Sequence, residues 1–187
     1  MLVQFENIRQ LQSWLASRQI DASGWGSTVG TKSLGNLWDE YVYGEISFQD
    51  DPPLRIVQVV QVIIRRGNRI LLEVEQEFNN QQRRSRKQPP SEKLKASETY
   101  IEAAQRCLEE ELGLGSSEMA FIGPGGYRQI QVVVESPSYP GLPTRYTFHT
   151  VEAIVKGLPD HDFWLDNRSF ATGDPIRRHH WAWMSDE

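Results

Sequence analysis

EKLKASETYIEAAQRCLEEELGL, residues 92–114, decides the fold of this 187-residue chain. It reads as a short loop feeding an amphipathic helix. Ile101, Ala104, Leu108 and Leu112 recur at helical spacing and mark a buried stripe. Ser97 or Thr99 can cap the start, and Glu102 stands in capping-box position after Thr99. Gly113 supplies the stop. Position 107 precedes Glu110 and Glu111 by one helical turn, so the three side chains point together. Neighbouring carboxylates repel unless a cation lies between them, which suits an oxygen-liganded ion such as Mg²⁺.

Outward from the helix, Arg55 to Ile64 is rich in β-branched residues and predicts a central strand. Arg66-Gly67-Asn68 is a turn, and Arg69 to Glu75 returns as the hairpin partner. The polar segment 79–90 is expected to be a loop. Beyond the helix, 119–122 predicts a short strand and 123–126 a turn. Segments 127–135 and 146–155 predict longer strands, 157–178 a loop, and 180–184 a last strand. On the N-terminal side, Phe5, Ile8, Leu11 and Leu15 predict a helix over 5–18. Residues 22–36 read as a loop, 37–43 as a short helix or an edge strand, and 50–53 as a break. Residues 1–50 are expected to be an extension packed on a domain spanning 54–187, since Trp14, Trp25 and Trp38 give it apolar surface.

The spacing in 92–114 resembles the Nudix box, G-x5-E-x7-R-E-U-x-E-E-x-G-U with U a bulky aliphatic. Glu98, Arg106, Leu108, Glu110, Glu111, Gly113 and Leu114 fall where that pattern wants them. Glu92 stands in place of the opening glycine, and Cys107 in place of the first glutamate after the arginine. The resemblance implies an α/β (α+β) fold with a mixed β-sheet sandwiched between helices. The family's late helix has no counterpart after the last strand, and the helix over 5–18 is expected to cover that sheet face instead. For the site, the resemblance implies catalytic roles for Glu110 and Glu111, which would bind Mg²⁺ or Mn²⁺, and a bracing ion pair between Glu98 and Arg106. Cys107 removes a hard oxygen ligand and offers a soft thiol that is mostly neutral near pH 7. Glu109 lies about 200° around the helix from position 107 and cannot replace it. Glu92 is the remaining candidate for a third metal carboxylate. The reading that follows is a degenerate member, non-catalytic or feeble, that binds an anionic nucleotide-like or diphosphate-like ligand or a macromolecule without needing a cofactor. The rival is an active Mg²⁺-dependent hydrolase of a nucleoside diphosphate-linked compound.

Arg83, Arg84, Arg86, Lys87, Lys93 and Lys95 set six cations against the single carboxylate of Glu92, in a chain of net charge −5. A run of this kind is either a solvated loop or an anion site for a small ligand or an acidic partner. Stacking of RNA bases on Tyr100, Tyr127 and the tryptophans is conceivable but nothing specifies it. His149 reads as structural, and His179 and His180 as exposed at the start of the last strand. Glu135 and Asp160 or Asp162 are candidates for an extra acidic group. An apolar fraction of 39% and a charged fraction of 24% fit a soluble globular domain. No apolar run approaches the roughly 18–20 residues of a membrane span. One cysteine excludes an internal disulfide and, with no secretory signal in MLVQFENIRQ, points to the cytoplasm. The edge near Leu37–Tyr43 is where a homodimer would pair.

Overall fold

β-Branched side chains favour the extended backbone and pack well on a pleated surface, and Leu54–Arg66 accordingly forms a 13-residue strand. The computed structural model describes residues 1–28, 30–168, 170 and 176–186. In chain order the elements are β1 (Leu2–Val3), α1 (Ile8–Ser17), α2 (Leu34–Val42), β2 (Ile46–Gln49) and β3 (Leu54–Arg66). There follow β4 (Arg69–Phe78), β5 (Arg83–Gln88), β6 (Ser91–Lys93) and α3 (Tyr100–Leu112). The chain continues through β7 (Met119–Phe121), β8 (Tyr127–Glu135), β9 (Pro143–Val155), β10 (Phe163–Asp166) and β11 (Ile176–Ser185). The chain forms two compact units, Met1–Val59 with Lys93–Glu98 and Ile130–Phe148, and Val60–Glu92 with Thr99–Gln129 and His149–Glu187.

In the first unit, α1 and α2 are capped by Asn7 and Ser33, so the ambiguous 37–43 segment is helical. β1 pairs with β2, and β2 with β3, Ile46 opposite Val57 and Gln49 opposite Leu54. Leu11, Trp14 and Leu15 of α1 join Leu37, Phe48, Val57, Tyr139 and Leu142 in one apolar cluster. Trp14 meets Phe48 edge-to-face at 5.4 Å and donates its indole N–H to Asp50 at 2.8 Å. The N-terminal helix is therefore applied to strands, among them β2, a strand that the sequence reading did not anticipate.

In the second unit, β3 and β4 pair at their turn, Arg65 opposite Ile70 and Arg66 opposite Arg69. Farther along, β4 pairs with β5, a strand where a loop was expected: Arg83 lies opposite Glu77, Arg84 opposite Gln76 and Gln88 opposite Glu73. Its sequence, RRSRKQ, carries no apolar alternation, and what holds it is a ladder of charge-assisted contacts to β4. β11 pairs with β4 and with β10, and β10 is a second strand inside a segment read as loop. β7 runs against β9, Met119 opposite Val155.

Helix α3 starts and stops as its sequence dictates. Thr99 accepts from the Glu102 N–H at 3.3 Å, and the Glu102 carboxylate accepts from the Thr99 N–H at 2.8 Å. Gly113 closes it at φ 71°, in the left-handed region that glycine enters without steric cost. The buried face comprises Ala103, Ala104, Cys107, Leu108 and Leu112, a stripe rotated from the expected one to take in Cys107 and leave Ile101 half-buried.

Candidate functional site

The second unit gathers acidic and basic side chains from four of its elements around α3. Glu73 comes from β4, Arg86 from β5, His179 from β11, and Arg106, Glu110 and Glu111 from α3. Glu92, at β6, joins them. Glu73 is buried and both its oxygens are engaged. Oε1 accepts from Gln76 at 2.7 Å and faces His179 Nδ1 at 2.5 Å, while Oε2 lies 3.1 Å from Arg86 Nε. Arg106 stands 3.6 Å from Glu92 and 3.6 Å from Glu110, the latter an i,i+4 pair along the helix. Glu98, belonging to the first unit, accepts from the Lys95 N–H at 2.8 Å.

Glu111 is half-buried, and burial, then the charges of Glu73 and Glu92, push its carboxyl well above the usual range. Arg86 and the Ser91 N–H pull the other way. Cys107 is fully buried, and burial followed by the charge of Glu111 and Glu92 pushes its thiol up, so it stays protonated. The thiol is thus a small core residue, and no anionic ligand stands at position 107. Among the described residues, no group of three or more His, Cys, Asp or Glu side chains is placed to hold a metal ion. Cys107 is a protonated thiol, Glu73 has given both oxygens to protein donors, and a guanidinium already stands beside Glu73. Neither Cys107 nor Glu73 therefore offers a free anionic oxygen to the divalent cation that the box motif implies, which leaves Glu92, Glu110 and Glu111 as the residues that would hold one.

The basic run is distributed between the two units and largely paired. Arg83 reaches Glu75 at 3.1 Å and Glu77 at 3.5 Å, and Arg84 reaches Gln76 Oε1 at 2.5 Å. Lys93, in the first unit, meets Glu40 and Glu45 at 2.9 Å each. Lys87 is exposed on β5. Sequence reasoning missed what joins this ladder from β11: Arg178 donates to Glu77 at 2.8 Å and Arg177 lies 3.5 Å from it. The donation from Arg178 holds Glu77 below the ordinary carboxylate range. Arg83 and Arg178 lie over the Trp164 ring, at 5.4 and 4.4 Å, and Trp164 stacks on His180 at 4.5 Å. The alternation Glu73, Glu75, Glu77 was the available signal, since a strand with an acidic row needs a basic neighbour. His179, expected to be exposed, is buried against Glu73 because it points at β4 from the paired strand β11.

Tyr100 and Tyr127 stack on each other at 4.5 Å beside a cavity of about 300 Å³. Tyr127 Oη lies 2.9 Å from His149 Nδ1. One face of each of these two rings is thus covered by the other. Asp160 is exposed beside His161, and Asp162 accepts from the Trp183 N–H at 3.3 Å.

No curated protein matches the chain. Among solved structures, it is similar to the Escherichia coli ORF135 protein, at 20% identity over 71% of this chain and 75% of that one, with a TM-score of 0.40. It is also similar to a NUDIX hydrolase from Nitrosomonas europaea, at 18% identity over 69% and 72% with a TM-score of 0.39. A Caenorhabditis elegans Ap4A hydrolase is similar at 15% identity over 68% and 79%, with a TM-score of 0.34. No helix among the described residues is long and apolar enough to cross a membrane. Residues 55–181 match the model of the NUDIX domain, and the chain belongs to that family.

Proposed function

We propose that this Nudix-fold protein is a binding protein with no or feeble hydrolase activity, and that its ligand is anionic, a nucleotide-like or diphosphate-like molecule or the acidic surface of a macromolecule. The observation that carries the first part is Cys107, a buried and protonated thiol where the box pattern has a carboxylate. The second part is supported by the paired strands β4, β5 and β11. There, with Arg86 and Glu73 left aside as a largely buried pair, Arg83, Arg84, Lys87, Arg177 and Arg178 outnumber Glu75 and Glu77, and the side chains of Arg83 and Arg177 are 53% and 54% exposed. A surplus of half-exposed guanidinium groups beside Trp164 suits phosphate oxygens with an adjoining planar group.

One observation favours the rival reading. Glu92 does come to the α3 face, 3.6 Å from Arg106, and its charge reaches Glu111. In an active protein it would be the replacement carboxylate, with Mg²⁺ or Mn²⁺ supplying Lewis acidity at a diphosphate. The deciding experiment measures phosphate release from a panel of nucleoside diphosphate-linked compounds, using wild type and Glu111→Gln, beside nucleotide binding in chelator. The proposal expects no Glu111-dependent turnover, and binding in chelator that weakens at least several-fold in Arg83→Ala/Arg177→Ala. Turnover by wild type that vanishes in Glu111→Gln would establish the rival.

A further inference from the structure

Arg86 reaches Glu73 through an irregularity in its strand. Gln88 lies opposite Glu73 but Ser85 lies opposite Glu75, so β5 spends one more residue than β4 over the same stretch. That is a bulge, and bulges re-aim side chains. The extra residue falls at Arg86 and Lys87, and the Arg86 guanidinium turns onto the 6% exposed Glu73 side chain at 3.1 Å. On the opposite side, Gln76 and His179 hold Oε1 of the same carboxylate. Arg106 covers Glu92 and Glu110. Each carboxylate of this acidic group thus has a protein cation or donor: Glu111 accepts from the Ser91 N–H, and Arg86 is among the charges that act on it.

We infer that Arg86 takes the place of a divalent cation: delivered by the β5 bulge, its guanidinium is the fixed counter-charge of Glu73 and of the acidic neighbour Glu111 on α3, a task it performs without metal. This deepens the reading that the box has lost catalysis, and it assigns Arg86 an internal task instead of ligand contact. A guanidinium and a divalent ion neutralise the same carboxylates and repel one another, so a fixed guanidinium disfavours the ion. Removing the arginine while keeping the carboxylates should therefore recreate a need for metal.

The test compares wild type, Arg86→Lys, Arg86→Met and the double variant Arg86→Met/Glu111→Gln by thermal denaturation in chelator and in excess MgCl₂. Mn²⁺ titration followed by electron paramagnetic resonance runs alongside. Wild type and Arg86→Lys are expected to show no Mg²⁺-dependent shift and no Glu111-dependent Mn²⁺ binding. Arg86→Met should melt about 4–8 °C lower in chelator, recover part of that loss in Mg²⁺, and bind Mn²⁺. The recovery should vanish in the double variant. Glu111-dependent Mn²⁺ binding by wild type would overturn the inference, as would a folded Arg86→Met protein indifferent to both ions. If Arg86→Met does not fold in chelator, its refolding on adding Mg²⁺ is the expected result, and Mn²⁺ binding by Arg86→Lys the contrary one. Failure of the non-catalytic reading shows separately, as turnover.

Discussion

Cys107 and Gly113 each sit where the backbone or the core leaves one kind of residue comfortable. A glutamate at 107 would enter a fully buried position already facing the charges of Glu111, Glu92 and Glu110. Cys107→Glu should cost about 3–5 kcal/mol in chemical denaturation without metal, the scale of an uncompensated buried charge. Cys107→Ala should cost only about 1 kcal/mol, as a small buried apolar group does. Equal stability of Cys107→Glu and wild type would mean that the position opens to solvent. At Gly113, φ is 71° and an added Cβ would stand 2.8 Å from Arg168 Nη2. The arginine tip can give way but the backbone cannot, so Gly113→Ala should cost roughly 1–2 kcal/mol. A melting temperature unchanged by Gly113→Ala would contradict this.

Elements differ in how far their own sequence explains them. Helix α3 is explained almost wholly by local signals, the Thr99–Glu102 capping box, the buried stripe and the left-handed glycine. Thr99→Ala removes the cap and should destabilise by about 1 kcal/mol, read from a urea midpoint, with Thr99→Ser close to neutral. Strand β5 is the opposite case. RRSRKQ has neither apolar alternation nor β-branched residues, and its extended form comes from carboxylates and an amide on β4. Nothing in residues 83–88 reveals that partner, which is why the segment reads as a loop. The same holds for β10, which is held by pairing with β11, Trp164 opposite His180.

At the scale of the whole molecule, the first unit is tied together by one buried carboxylate from α2. Burial works against the charge of Glu40, but Lys93, Arg55 and Lys32 outweigh it and draw the group down to about 2. Arg55 and Lys32 each contact it at 2.6 Å. A carboxyl held below its unfolded value stabilises the fold at pH above that unfolded value, and the gain is lost as pH falls through the folded one. Acid should therefore remove on the order of 3 kcal/mol between about pH 4.5 and 2. Glu40→Gln should flatten the pH dependence of the melting temperature across that window, and an unaltered acid limb would contradict it. Trp14→Ala, which empties part of the apolar cluster and removes one of the two donors to Asp50, should cost about 3–5 kcal/mol in the same assay.

The sequence by itself determined the strand β3, the limits of α3, the helical N-terminus and the family, because these rest on propensity, capping and spacing within a few residues of one another. It also identified the two departures, Glu92 and Cys107, since these need only the motif. Tertiary structure decided which charges meet. Glu73 and His179 are 106 positions apart in the chain and 2.5 Å apart in space, and their pairing depends on strand register. Which of the cations of residues 83–95 are paired was likewise fixed by register and packing, Arg83 by Glu75 and Glu77 across the β4–β5 ladder and Lys93 by Glu40 and Glu45. Coulomb attraction acts over distances in space, and local periodicity carries no record of them.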